Sequence, residues 1–130
     1  MILDSSVVVA VLRQEPEASR FTDAIELSQP CRISAASYVE ASIIIDRSTH
    51  AIASRRFDEF LRLSRAVVEP VTAKQALIAR QAYRDFGRGR HKAGLNFGDC
   101  FAYALAKDLD EPLLFKGTDF RHTDIEAAEY

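Results

Sequence analysis

Four carboxylates in this chain, Asp4, Glu40, Asp99 and Asp119, lack the neighbours that usually explain an acid. Other acids fall into helical pairs. Asp58 stands four residues before Arg62, Glu59 four after Arg55, and Glu17 three before Arg20. Such solvated pairs contribute about 0.2–0.5 kcal/mol each. Asp4 instead ends the apolar run Met1-Ile2-Leu3 and precedes Ser5, Ser6 and a second apolar run from Val7 to Leu12. Glu40 has Ala36, Ser37, Ile43 and Ile44 at helical neighbour positions, and Asp99 has Leu95, Asn96, Ala102 and Tyr103. Carboxylates in apolar settings are costly unless compensated, and one bound cation compensates several at once. Hard oxygen ligands without a nearby His or Cys suit Mg²⁺ or Mn²⁺ better than Zn²⁺. Cys100 adjoins Asp99, but it is a soft ligand and sits about 100° further round a helix. A carboxylate-held Mg²⁺ implies phosphate chemistry, with a polarised phosphoryl oxygen and an activated water.

Each acid also fits a structural role when taken singly. Asp4 precedes a helix, Ser37-x-x-Glu40 has capping-box spacing, Asp99 stands where an N-cap could be, and Asp119 lies in a turn. For Glu40 the cap is the weaker reading, because Ser34 is an equally good N-cap and the apolar run around Glu40 suggests a place inside the helix. The set as a whole favours function. Every member lies near the carboxyl end of a strand or the start of the following helix, and in a parallel sheet those points share one edge.

The elements that must position them alternate. Helices are expected over Ser5–Arg13, Glu17–Ser28, Ala35–Ser48, Ala51–Ala66, Thr72–Phe86 and Asn96–Asp108. The Ala35–Ser48 helix is apolar nearly all round, the mark of a buried helix. Thr72 and Gln75 have the spacing of a capping box. Strands are expected at Met1–Leu3, Cys31–Ile33, Val67–Val71 and Pro112–Phe115, with one more around Asp124–Ile125. Gly117–Phe120 reads as a turn. This alternation argues an α/β fold with a mostly parallel sheet between helices.

At 130 residues the chain is expected to form one domain, residues 1–130. Its formal charge of −2 does not announce a nucleic-acid binder. Cys31 and Cys100 form no metal or redox motif, no apolar run suits a membrane span, and Met1 directly precedes the first strand with no secretory leader. A cytoplasmic protein with free thiols and no membrane partner is the expectation.

Four blocks together resemble the PIN-domain ribonucleases, and more narrowly the VapC toxins of type II toxin–antitoxin pairs. They are Leu3-Asp4-Ser5-Ser6, Val39-Glu40-Ala41, Asn96-Phe97-Gly98-Asp99 with the helix running on to Ala106, and Leu114 to Phe120. The resemblance covers essentially the whole chain, and the block from Asn96 to Ala106 is its most specific part. It implies a three-layer α/β/α fold with a short central sheet. It further implies a magnesium-dependent endoribonuclease leaving 5′-phosphate and 3′-hydroxyl ends, a cognate VapB-type antitoxin and a homodimer. By position Asp4, Glu40, Asp99 and Asp119 match the acidic metal site, Ser6 the supporting hydroxyl, and Asn96 an orienting residue. Thr118 departs from the pattern, since relatives often carry an acid or Asn before the fourth acid. Asp124 is an auxiliary acid or a surface residue.

An acidic site repels a polyanion, so a positive counterpart is needed. Arg84, Arg88, Arg90 and Lys92, with His91, form the dense basic cluster just before the Asp99 helix. They read as contacts to RNA or to the antitoxin, or else as a solvated loop. His91, alone in that loop, reads as surface rather than as a general base. The Ala35–Ile45 helix and the Phe57, Phe60 and Leu61 face read as core, or as a groove for an antitoxin helix. Rival readings fit less well. A haloacid-dehalogenase-type phosphatase needs a second Asp where Ser6 stands, and a phosphoacceptor receiver domain needs a central strand-end Asp that no residue supplies, although Lys116 would suit its lysine. A catalytically silent PIN-like binding module is the non-enzymatic alternative.

Overall fold

The computed structural model describes residues 1–47 and 51–130. Four parallel strands, β1 (Ile2–Leu3), β2 (Arg32–Ser34), β3 (Val67–Glu69) and β4 (Leu113–Leu114), lie in the order β3-β2-β1-β4. The register pairs Ile2 with both Arg32 and Leu113. The chain leaves β1 in one direction to reach β2 and returns on its other side at β4. Ligand crevices form at the carboxyl ends of strands where such an order reverses.

Helices α1 (Ser5–Leu12), α2 (Ala18–Leu27), α3 (Ala35–Asp46), α4 (Ala51–Ser64), α5 (Ala73–Phe86) and α6 (Phe97–Leu109) enclose the sheet. Strand alternation sorts them into two layers. Leu3 and Leu114 join Val7, Val8, Phe21, Ala41 and Phe57 in one core cluster, whereas Ile2 and Leu113 join Ala79, Ala82, Ala102 and Leu105 in the other. The expected three-layer α/β/α architecture is present.

Several local expectations change. The Asp124–Ile125 segment is no strand; a single bridge joins Leu113 to Ala127 instead. Asp124 accepts hydrogen bonds from Tyr103 Oη (2.6 Å) and Lys107 Nζ (2.8 Å), so it ties the C-terminal segment to α6. β3 ends at Glu69 rather than Val71, and as an edge strand it leaves Val67 and Val68 exposed. α3 ends at Asp46, Ser48 lies outside the described residues, and the helix is not buried all round. Ser37, Ala41 and Ile45 are buried, but Val39 and Ile43 are each 51% exposed. An apolar residue on every side leaves the buried face to be chosen by the neighbours, here α1, α4 and α6. Thr72 caps α5 through the Gln75 amide, yet the Gln75 side chain turns to Asp108 rather than completing the box. Glu59 pairs with Arg62 at 3.7 Å, and Glu17 with Lys116 at 3.0 Å, in place of the partners expected for them.

Candidate active site

Asp4 leaves the end of β1 as the N-cap of α1. Its Oδ2 accepts from the Ser6 amide (3.0 Å) and from Ser6 Oγ (2.5 Å). Ser6 Oγ in turn accepts from the Lys116 amide at 3.0 Å, so one hydroxyl links the Asp4 carboxylate to the end of β4. Asp4 is 3% exposed, and its Oδ1 is buried with no hydrogen-bond partner.

Glu40 arrives from the second turn of α3. Ser34 caps that helix through the Ala36 amide, which leaves Glu40 free of any capping role. Ser5 Oγ donates to Glu40 Oε2 at 2.7 Å. Asp99 lies in the first turn of α6, but it is not the N-cap. Asn96 is, and the two residues form a reciprocal capping box, with Asn96 N donating to Asp99 Oδ2 (2.7 Å) and Asp99 N to Asn96 Oδ1 (2.9 Å). Asn96 therefore orients the third acid directly. Asp119 opens a 3₁₀ turn, Asp119–His122, beyond β4 and is exposed at the rim; Gly117, at φ +101°, turns the chain into it.

These side chains share one electrostatic environment. Burial raises the Asp4 carboxyl above its ordinary range, the Ser6 hydrogen bonds oppose this, and Glu40 adds repulsion. Burial also pushes Asp99 up to about 6, against the Asn96 amide, with repulsion from Asp4, Glu40 and Asp119. Asp99 thus lies in the field of Asp4, Glu40 and Asp119, and Asp4 in that of Glu40, although the four come from separate segments. Among the described residues no group of three or more His, Cys, Asp or Glu side chains is placed so that it could hold a metal ion as it stands. Each of the inner three instead turns one oxygen onto a protein donor: Ser6, Ser5 or the Asn96 amide. A partnerless, buried carboxylate oxygen beside further carboxylates, all of them hard donors, fits a small divalent cation.

Two positioning residues escape a search for acids. Ser5 holds Glu40 across 35 residues of sequence. Gly98 supplies the room for Glu40, since a Cβ built there would lie 2.5 Å from Glu40 Cδ and closer still to both oxygens. A glycine inside the first turn of a helix, where it is unfavourable, was the available signal.

The raised acids fix the pH response of the protein kept in chelator. Between the ordinary Asp value of 3.8 and about 6 the native state binds more protons than the unfolded chain. Its stability therefore falls as pH rises through that window. Lowering the pH from 7.5 to about 5.5 is expected to raise the melting temperature, and Asp99→Asn is expected to flatten the response. Calorimetry in EDTA checks both; a wild-type melting point that falls on this acidification would contradict the burial of these carboxylates.

The basic cluster lies alongside. Arg84, on α5, and Arg88, Arg90 and Lys92, on the loop between α5 and α6, are exposed. That loop is anchored: Ala93 and Leu95 are buried, Gly87 bridges Leu95, and the His91 ring packs edge-on to Phe86 at 5.3 Å. Lys116 is not part of the cluster, because Glu15 and Glu17 hold its ammonium. No helix among the described residues is long and apolar enough to cross a membrane.

Comparison with known proteins agrees with the fold. The PIN-domain family matches residues 1–126. Ribonuclease VapC28 of Mycobacterium tuberculosis is 51% identical over 129 residues, covering 98% of this chain and 97% of that protein. The crystal structure of M. tuberculosis VapC20, described as a sarcin–ricin loop cleaving toxin, superposes with a TM-score of 0.74 at 16% identity and covers 95% of both chains. A toxin–antitoxin complex from Klebsiella pneumoniae superposes at 0.70 with 17% identity, covering 95% of this chain and 92% of that one.

Proposed function

Because the chain belongs to the PIN-domain family of VapC ribonucleases, we propose that it is the toxin of a type II toxin–antitoxin pair and hydrolyses RNA phosphodiester bonds with Mg²⁺, Mn²⁺ serving as a substitute. The observation that carries this reading is the buried Asp4 Oδ1, which has no hydrogen-bond partner in a carboxylate that Glu40 and Asp99 repel.

In this reading Asp4, Asp99 and Glu40 would hold the ion, and Asp119 would help to hold it or its waters from the rim. When bound, the ion polarises the phosphoryl group and lowers the pKa of the attacking water. The chain's own residues do the positioning. Ser6 and the Lys116 amide fix Asp4, Ser5 fixes Glu40, and the Asn96 amide fixes Asp99. Water attacks phosphorus, the bond to the 3′-oxygen breaks, that oxygen takes a proton, and the new 5′-end keeps the phosphate. Arg84, Arg88, Arg90 and Lys92 offset the repulsion between an acidic site and a polyanion.

The proposed regulator is a VapB-type antitoxin. Its seat is the cleft lined by Leu12, Ile44, Ile45 and Ile52 and flanked by Arg13, Arg47 and Arg56. Apolar walls with a cationic rim suit an amphipathic helix carrying acids. The buried Phe57 belongs to the core rather than to this groove. A homodimer is the proposed free form, which light scattering checks.

Purified protein is expected to cleave a mixed RNA pool in Mg²⁺, to stop in excess EDTA and to resume when Mg²⁺ or Mn²⁺ is returned. Cleavage that is indifferent to EDTA would refute the metal reading, and no cleavage of tRNA, rRNA or mRNA would refute the nuclease.

A further inference from the structure

A cleft of about 840 Å³ runs between α5 and the N-terminal end of α6. Arg80, Arg84, Arg88 and Arg90 line it, together with Phe97 and Phe101. Among the described residues none of these four guanidiniums has a carboxylate within 4.0 Å. Asp85, the acid on the same stretch of α5, is engaged by Gln81 instead. The cleft thus carries uncompensated positive charge.

Its second feature is aromatic. Phe97 is 78% exposed, although it is among the largest apolar side chains in the protein. It is also held in place, because Phe101 meets it in a T-shaped contact with centroids 4.9 Å apart. A buttressed ring with an open face among guanidiniums suits a nucleobase flanked by phosphates. Tyr83 adds a second, partly exposed ring to the same wall.

Position supplies the third argument. Phe97 and Asp99 share the first turn of α6, two residues and so about 200° apart. They occupy opposite flanks of one helix end, and Asn96 between them lines the cleft and orients Asp99. A strand whose phosphate lies at the carboxylates can cross this end, about one helix diameter of 10 Å, and enter the cleft.

We propose that Phe97 is a base-stacking platform for the RNA substrate, set in this cleft next to the cleavage site, with the cleft arginines holding the adjoining phosphates. The proposal rests on the nuclease reading, and it requires an unpaired base at Phe97, since a base inside a duplex has no free face to offer. An acidic peptide would use the arginines but would have no need of an aromatic platform.

Binding is measured on the intact protein carrying Asp99→Asn, in EDTA, with a labelled RNA single strand of about 12 nucleotides and with its duplex. Phe97→Ala is expected to weaken single-strand binding about five- to hundredfold. Phe97→Tyr is expected to restore it to within about twofold, and Phe97→Leu, apolar but without a stacking face, is not. Arg88→Ala and Arg90→Ala are each expected to lower the salt slope by about 0.7. The duplex is expected to bind more weakly than the single strand.

Single-strand affinity unchanged in Phe97→Ala, rescue by Leu as complete as by Tyr, or equal binding of duplex and single strand would each overturn the platform. So would a loss of binding that appears only when light scattering shows a dimer separating, which would make this face a contact between copies. Cleavage by the wild-type protein is followed in parallel. Phe97-dependent binding without cleavage would defeat the nuclease reading alone, and cleavage with Phe97-independent binding would defeat the platform alone.

Discussion

Asp99→Asn is expected to lower the proposed Mg²⁺-dependent cleavage at least about hundredfold and to leave the fold intact. The carboxylate it removes is the one whose position is most fully determined, by the capping box with Asn96, and it lies in the field of Asp4, Glu40 and Asp119. If Asp99 is a ligand as proposed, its loss would weaken the ion's hold and orientation, and transition-state stabilisation of several kcal/mol would depend on both; each 1.36 kcal/mol is a factor of ten in rate. Folding is spared because the Asn side-chain carbonyl still accepts from the Asn96 amide, so the helix start survives. Repulsion with the other carboxylates also disappears, and in EDTA the variant is expected to melt no lower than wild type. Cleavage assays paired with thermal melts test both halves. Full activity in a homogeneous Asp99→Asn preparation would remove Asp99 from the mechanism, while an unfolded variant would show that the capping box needs the charge.

Gly98→Ala is expected to give the second large effect, through a residue that bears no functional group. The added methyl overlaps the Glu40 carboxylate, which must swing away and give up its hydrogen bond from Ser5. Displacing a group that orients or holds a metal costs about 10- to 100-fold in activity. Stability responds far less, because the overpacking penalty of about 1–3 kcal/mol is offset by about 1 kcal/mol from replacing Gly with Ala in a helix. Activity is therefore expected to collapse with only a small change in melting temperature. The sharper test is the double variant. If Gly98 acts through Glu40, then Gly98→Ala adds little to the loss already caused by Glu40→Ala, a departure from additivity expected only of coupled residues. Full additivity in that cycle would show that Gly98 has another role.

The comparison of Asp99 with Gly98 shows which kinds of information the chain carries locally. Asp99 was legible because an acid among Leu95, Ala102 and Tyr103 is out of place on any helix face, whatever lies opposite. The N-caps at Asp4, Ser34 and Thr72 were legible for the same reason, since a cap bonds amides two or three residues away. Asp124 was misplaced in a strand because β-propensity over a few residues says nothing about Tyr103 and Lys107, whose hydrogen bonds hold it in a loop.

What the amino-acid order determined alone was the succession of strands and helices and the ends of most elements. Each follows from periodicity or from contacts within one turn, which are properties of short segments. The tertiary structure decided which side of α3 faces solvent, that Ser5 reaches Glu40, that Gly98 makes room for it, and that the arginine loop is anchored beside an open Phe97. Those outcomes depend on groups tens of residues apart being packed against each other, and only the folded chain brings such groups within reach.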